Sequence, residues 1–221
     1  MSDPKGIGLS DDLHQYLLAN GSRPDAVQQS LIDATAALGP IARMQIAPEQ
    51  GAFMTLLVRS LDVRFAIEVG TFTGYSALAI ARGLAPGGRL VCCDVSAQWT
   101  GIGAAHWLAA GVADRIDLRI APALETLRAL PDEPTIDFAF IDADKGNYAA
   151  YYAEIIERLA PNGVILIDNV LWSGRVIDPS ADDDDTRAIR AFNAMVIADA
   201  RVDSVMLPIS DGLTMIRRAA P

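Results

Sequence analysis

The chain has 221 residues, 51% of them hydrophobic, and a formal net charge of −10. That length fits a single domain with a large core, residues 1–221, and the acidic balance, with no basic cluster, argues against a nucleic-acid partner. No stretch is long and apolar enough to span a membrane and the opening residues, MSDPKGIGLSDD, hold no signal-peptide core, so the expectation is a soluble, cytoplasmic protein with no membrane partner.

Ser10-Asp11-Asp12 caps a first helix, LHQYLLANG, which Gly21 stops, and Asp25 opens a second, AVQQSLIDATAAL, ending at Gly39-Pro40. Residues 1–45 precede the first strand and can serve as a lid or a subunit contact. Residues 46–221 then form the core. His14 reads as an ordinary helix residue. The segment Met44-Gln45-Ile46 reads as extended and either borders a ligand or simply leads into the helix that Pro48 starts. That helix turns Phe53, Leu56, Leu57 and Leu61 inward.

Residues 64–76, RFAIEVGTFTGYS, give a short apolar strand, a glycine turn and the start of a periodic helix. Glycines here let the backbone approach a ligand, and the helix start offers N–H groups. The spacing is E-x-G-x-x-x-G, not the G-x-G-x-x-G of a dinucleotide loop. Glu68 would repel a pyrophosphate and suits a cationic or hydroxyl-rich ligand. The loop therefore leans toward S-adenosylmethionine, whose methionine end carries an ammonium and a sulfonium.

A second strand, RLVCCDVS, ends in Asp94, 24 residues beyond Gly70. An acid at that place can accept the ribose hydroxyls of a nucleoside. Cys92 and Cys93 are adjacent, so they face opposite ways and read as small buried residues, not as a disulfide or a metal pair. A helix over 98–110 follows, with Trp99, His106 and Trp107 read as structural, and then the strand IDLRIAP and the helix ALETLRAL. Strands and helices alternating at this spacing imply a doubly wound parallel sheet, with ligands at the carboxyl ends of the strands.

Two strand ends stand out. IDFAFID runs into Asp142-Ala143-Asp144-Lys145, and VILID, after the turn Pro161-Asn162-Gly163, ends in Asp168-Asn169. Ends of neighbouring strands lie roughly 5 Å apart, so Asp142, Asp168 and Asn169 can converge. Two carboxylates and an amide oxygen suit a hard divalent ion such as Mg²⁺, and not zinc; separate helix or turn caps are the competing reading. Sixteen of the basic residues are Arg and only Lys5 and Lys145 are Lys. Lys can give up a proton where Arg cannot, which hints at proton transfer by Lys145. Trp172 can wall a flat substrate or pack. The run Asp182 to Asp185 reads as a solvated helix start, and Ser210-Asp211-Gly212 as the turn of a terminal hairpin at an antiparallel sheet edge.

EVGTFTGYSALAIA, FIDADKGNYAAYY, LIDNVLWSGRV and MLPISDGLTMIRR together resemble the cation-dependent O-methyltransferases of the caffeoyl-coenzyme A and catechol type, from about Met44 to the end. The resemblance implies an α/β Rossmann-like class I methyltransferase fold: a seven-stranded, mostly parallel sheet with an antiparallel terminal hairpin and helices on both faces. It implies S-adenosyl-L-methionine and a divalent cation (Mg²⁺, or Mn²⁺ or Ca²⁺) as cofactors, an aromatic vicinal diol as acceptor, and a homodimer.

By position, Asp142, Asp168 and Asn169 fall on the metal ligands and Lys145 on the catalytic base. Ile46, Glu68, Gly70, Thr71, Phe72 and Ser76 fall on the methionine side of the cofactor. Asp94, Val95 and Ala123 fall on its nucleoside side, Asp142, Ala143 and Asp144 between them, and Met44 and Trp172 on the acceptor. A phenol is a poor nucleophile at neutral pH; in the mechanism so implied, a divalent ion acts on it as Lewis acid and template. Lys145 takes its proton, and the phenolate attacks the sulfonium methyl in line. The insertion and N-terminal arm that help plant enzymes recognise the coenzyme A ester have no clear match, so the acceptor stays open among free catechols, flavonoids, hydroxycinnamates and their coenzyme A esters. The rival functions are a non-catalytic S-adenosylmethionine-binding protein of the same fold, an NAD-dependent oxidoreductase, which lacks its loop here, and a metal-dependent hydrolase, which leaves the glycine loop and Asp94 idle.

Overall fold

A computed structural model of the chain describes residues 8–220; Lys5 lies outside them. Seven strands form one sheet: β1 (Phe65–Val69), β2 (Arg89–Asp94), β3 (Ile116–Ile120), β4 (Ile136–Ile141), β5 (Leu159–Asp168), β6 (Val202–Leu207) and β7 (Leu213–Arg218), in the order β3-β2-β1-β4-β5-β7-β6. The first five in that order are parallel, and β7 runs antiparallel to both β5 and β6. This is the expected doubly wound sheet with its reversed terminal hairpin. The chain winds outward from β1 to β2 and β3, then returns to β4 on the other side. The crevice outside the carboxyl ends of β1 and β4 is therefore the switch point where such sheets bind ligands.

β1 is buried on both faces, as its largely apolar sequence, interrupted only by Glu68, requires. Its odd residues Phe65, Ile67 and Val69 pack with Cys93, Ala139 and Ile165 under α7 (Tyr148–Glu157) and α8 (Asp184–Ala198). Ala66 packs on the opposite face with Leu90, Cys92 and Phe138, under α3 (Pro48–Ser60) and α4 (Tyr75–Gly83). Cys92 and Cys93 are buried, free and on opposite faces, as their adjacency demands. Among the described residues no helix is long and apolar enough to cross a membrane.

α1 (Asp11–Asn20) and α2 (Ala26–Ala36) begin at the expected caps, Ser10 and Asp25. α2 buries Leu31 and Thr35, and the Thr35 hydroxyl donates to Thr73 in the glycine loop at 2.8 Å. His14 meets Glu49 at 3.0 Å, and His106 pairs with Ser30 at 3.2 Å.

Three local readings differ from the structure. Phe53 and Leu57 of α3 and Leu61 at its end pack partly buried on the core as expected, but Leu56 is exposed and the fully buried face is Gln50, Gly51, Met54 and Val58, because α3 docks through its small residue Gly51 on α4. Met44 closes a 3₁₀ turn over Gly39–Met44 instead of starting an extended segment, since Pro40 supplies a helix-start φ; the extended backbone begins at Gln45. β5 starts at Leu159, so the Pro161–Gly163 turn becomes an irregularity within it, with a register shift opposite β4.

Candidate active site

The turn after β1 is built by Gly70 at φ +89°. A Cβ at Gly70 would lie 1.8 Å from the Asp142 carbonyl oxygen, so here the glycine lets β1 meet the end of β4, where the sequence reading had it meet a ligand. The Thr71 and Phe72 N–H groups both donate to Asp94 Oδ2, at 2.9 and 2.8 Å. The Ser96 N–H donates to Oδ1 at 2.7 Å. Asp94 is thereby fixed at the end of β2, and its carboxylate keeps acceptor capacity for ribose hydroxyls.

Above these strand ends lies a cavity of about 1210 Å³. That exceeds the usual range for one small ligand and leaves room for a cofactor and an acceptor together. Every expected site residue except Glu68 lines it: Ile46, Gly70, Thr71, Phe72 and Ser76 along the glycine loop, Asp94, Val95 and Ala123 at the far end, Asp142, Ala143, Asp144 and Lys145 in the centre, and Asp168, Asn169, Met44 and Trp172 opposite.

Glu68 is fully buried one residue before the turn, off the cavity wall. Both its carboxylate oxygens lack a hydrogen-bond partner of good geometry. Burial pushes its pKa up to about 7, against a smaller downward pull from the adjacent Ser76, Thr71 and Cys92 side chains.

At the ends of β4 and β5, Lys145 joins Asp142 to Asn169. Lys145 Nζ donates to Asp142 Oδ1 at 3.1 Å, to Asn169 Oδ1 at 2.7 Å and to the Tyr148 hydroxyl at 2.6 Å. The Tyr148 hydroxyl donates in turn to the Asp168 carbonyl at 3.2 Å. Oxygens of Asp142 and Asn169 thus close on one cationic point. Burial raises the pKa of both Asp142 and Asp168, and their mutual repulsion raises that of Asp168 further. Such a set favours a bound cation. Among the described residues no three His, Cys, Asp or Glu side chains group to hold a metal; the all-oxygen set is two carboxylates completed by an amide, which fits a hard divalent ion.

The segment after β5 is strained: Asn169, Trp172 and Ser173 all have positive φ. It is held by the hairpin turn before β7. The Ser173 N–H donates to Asp211 Oδ1 at 2.6 Å, the Leu171 N–H to the Asp211 carbonyl at 3.0 Å and the Val170 N–H to the Gly212 carbonyl at 3.2 Å.

Several site residues were not foreseen. Trp99, read as structural, lines the cavity and packs edge-on against Phe72, with ring centroids 5.3 Å apart. Asp185 lines the cavity too, although the run it belongs to read as merely solvated; Asp183 caps α8. Tyr151 and Asn147 hold Asp144 at 2.6 and 2.5 Å. Asp211 lines the wall, and Gln50 reaches Asp168 from α3. The tyrosine spacing of GNYAAYY was a usable signal for Tyr148 and Tyr151, since i and i+3 share a helix face.

The sheet order, the reversed hairpin and a cavity at the switch point with an acid at the end of β2 define a Rossmann-like methyltransferase. The O-methyltransferase family model matches residues 20–219, and the chain belongs to that family. It is 39% identical to "Probable caffeoyl-CoA O-methyltransferase 1" of Dictyostelium discoideum, over 96% of this chain and 94% of that one. It is 36% identical to the caffeoyl-CoA O-methyltransferase of Mesembryanthemum crystallinum, over 97% and 89%. The crystal structure of the O-methyltransferase from Bacillus cereus in complex with SAH superposes with a TM-score of 0.85, at 33% identity, covering 94% of this chain and 97% of that one. The protein is an S-adenosylmethionine-dependent O-methyltransferase of the caffeoyl-CoA type.

Proposed function

We propose that the chain methylates one hydroxyl of a vicinal aromatic diol, with a divalent cation, Mg²⁺ first, held by Asp142, Asp168 and Asn169. The observation that carries this reading is the contact of Lys145 with both Asp142 and Asn169 on the wall of a cavity that Asp168 also lines. When bound, the ion would act as a Lewis acid toward the acceptor oxygens.

The chain's own groups do the rest. Asp94 and the glycine loop seat the adenosine and methionine parts, and the cationic methionine end lies in the field of Glu68 behind the wall. Met44 and Trp172 flank the acceptor ring. In its neutral form Lys145 accepts the phenolic proton on the free lone pair of Nζ, while its two N–H groups stay held by Tyr148 and Asn169. The phenolate oxygen then forms a bond to the methyl carbon as the carbon–sulfur bond breaks, leaving S-adenosylhomocysteine. Holding both reactants in line supplies much of the acceleration.

The test is methyl transfer from labelled S-adenosylmethionine to caffeate, its coenzyme A ester and a flavonoid diol, with Mg²⁺ and with chelator. Transfer that stops in chelator and resumes with Mg²⁺ is expected. Equal transfer in chelator would remove the cation from the mechanism and leave the methyltransferase standing.

A further inference from the structure

We infer that Gln50 is a positioning residue for Asp168, placed by α3 to fix the carboxylate of the proposed cation site; the inference rests on that reading of the site. Gln50 is fully buried in the first turn of α3. Its Nε2 donates to Asp168 Oδ2 at 2.8 Å, and the Asn169 N–H donates to Asp168 Oδ1 at 2.7 Å. Each carboxylate oxygen therefore has one fixed donor and keeps lone-pair capacity for a ligand.

α3 comes this close because Gly51 sits against Tyr75: a Cβ there would lie 2.8 Å from Tyr75 Cε1. The orientation of the amide is forced. Turned over, Oε1 would face a carboxylate oxygen, and both are acceptors. In the orientation present, Oε1 is buried with no partner among the described residues. An unpaired buried acceptor destabilises the fold. A glutamine at this place thus serves Asp168 and not the core, the pattern expected where function overrides a local rule. Its neutrality also matters. A Lys or Arg would compete with a cation for Asp168, whereas an amide supplies an N–H and no charge. Outer partners of a ligating carboxylate typically set metal affinity by about 10–100-fold.

The test compares the full chain with Gln50→Met and Asp168→Asn, without acceptor. Mn²⁺ affinity is read from the spin-resonance signal of the free ion, S-adenosylmethionine affinity by calorimetry, and stability by thermal unfolding. Met matches Gln in size and removes both polar atoms. Gln50→Met should bind Mn²⁺ about 10–100-fold more weakly, with cofactor affinity unchanged. Asp168→Asn should lose the ion. A lower midpoint with unchanged Mn²⁺ affinity would assign Gln50 to the core and overturn the inference. Gln50→Leu repeats the test if the Met variant does not fold, and failure of both to fold would overturn it as well. A parent chain that binds no Mn²⁺, with or without S-adenosylmethionine, would overturn the cation reading along with it; binding by the parent and equally by Gln50→Met would overturn the inference alone.

Discussion

Lys145 is the buried lysine that touches an acid, an amide and a phenol at once. Replacing it removes the proposed proton acceptor and leaves the cofactor's seat intact. Lys145→Ala should therefore lower kcat by about 10²–10⁴-fold with S-adenosylmethionine affinity unchanged, measured by turnover and calorimetry; unchanged turnover would take Lys145 out of the mechanism. Glu68 makes a prediction of different sign. Its native pKa is raised from 4.5 to about 7, so the folded chain holds a proton that the unfolded chain releases first. Its contribution is least unfavourable below pH 4.5, and stability falls as pH rises to 7, by about 3 kcal/mol at most. Glu68→Gln should remove that fall, so its stability relative to the parent rises between pH 4.5 and 8 in denaturant titrations. The same variant should bind S-adenosylmethionine more weakly, because the ionised acid favours the cationic methionine end. The strand-end acids were legible because an apolar run ending in Asp announces its own position. Gln50 was not: it meets Asp168 across 118 residues, and no local pattern records that contact. Nor was the depth of Glu68, which depends on how β1 is covered.

Among the elements, the alternation of strands and helices was plain in the sequence, and so was the hairpin. The inward face of α3 was legible only in part: Phe53, Leu57 and Leu61 reach the core as expected, but the contact of Gly51 with Tyr75 sets the face and turns Leu56 outward. The hairpin turn also does more than reverse the chain. It braces the segment 169–174, whose left-handed Asn169, Trp172 and Ser173 each cost about 1–3 kcal/mol and need outside support. Asp211→Ala removes the acceptor for the Ser173 N–H. It should destabilise the fold by only about 0.5–1.5 kcal/mol yet raise KM for the acceptor several-fold, since Trp172 precedes Ser173 in the braced segment. Steady-state kinetics with acceptor varied, beside thermal unfolding, checks this; an unchanged KM would separate the brace from acceptor binding.

At the scale of the whole molecule, the charge of −10 acts on whatever approaches the cavity. Its wall carries six aspartates against Arg43, Lys145 and Arg175. Lys145 is engaged by Asp142, and Arg175 by Asp183, which leaves Arg43 without an ion pair among the described residues. A coenzyme A ester brings several phosphate charges into this negative field, whereas a free catechol brings none. Salt screens long-range repulsion over roughly 10 Å at 0.1 M. Raising ionic strength should therefore increase kcat/KM for a coenzyme A ester and leave that for a neutral diol nearly flat. The comparison needs both acceptors in one buffer series with saturating S-adenosylmethionine and Mg²⁺. A decrease for the ester would mean that Arg43 and its surroundings attract the phosphates more strongly than the molecule as a whole repels them, and Arg43→Gln should then abolish the salt effect.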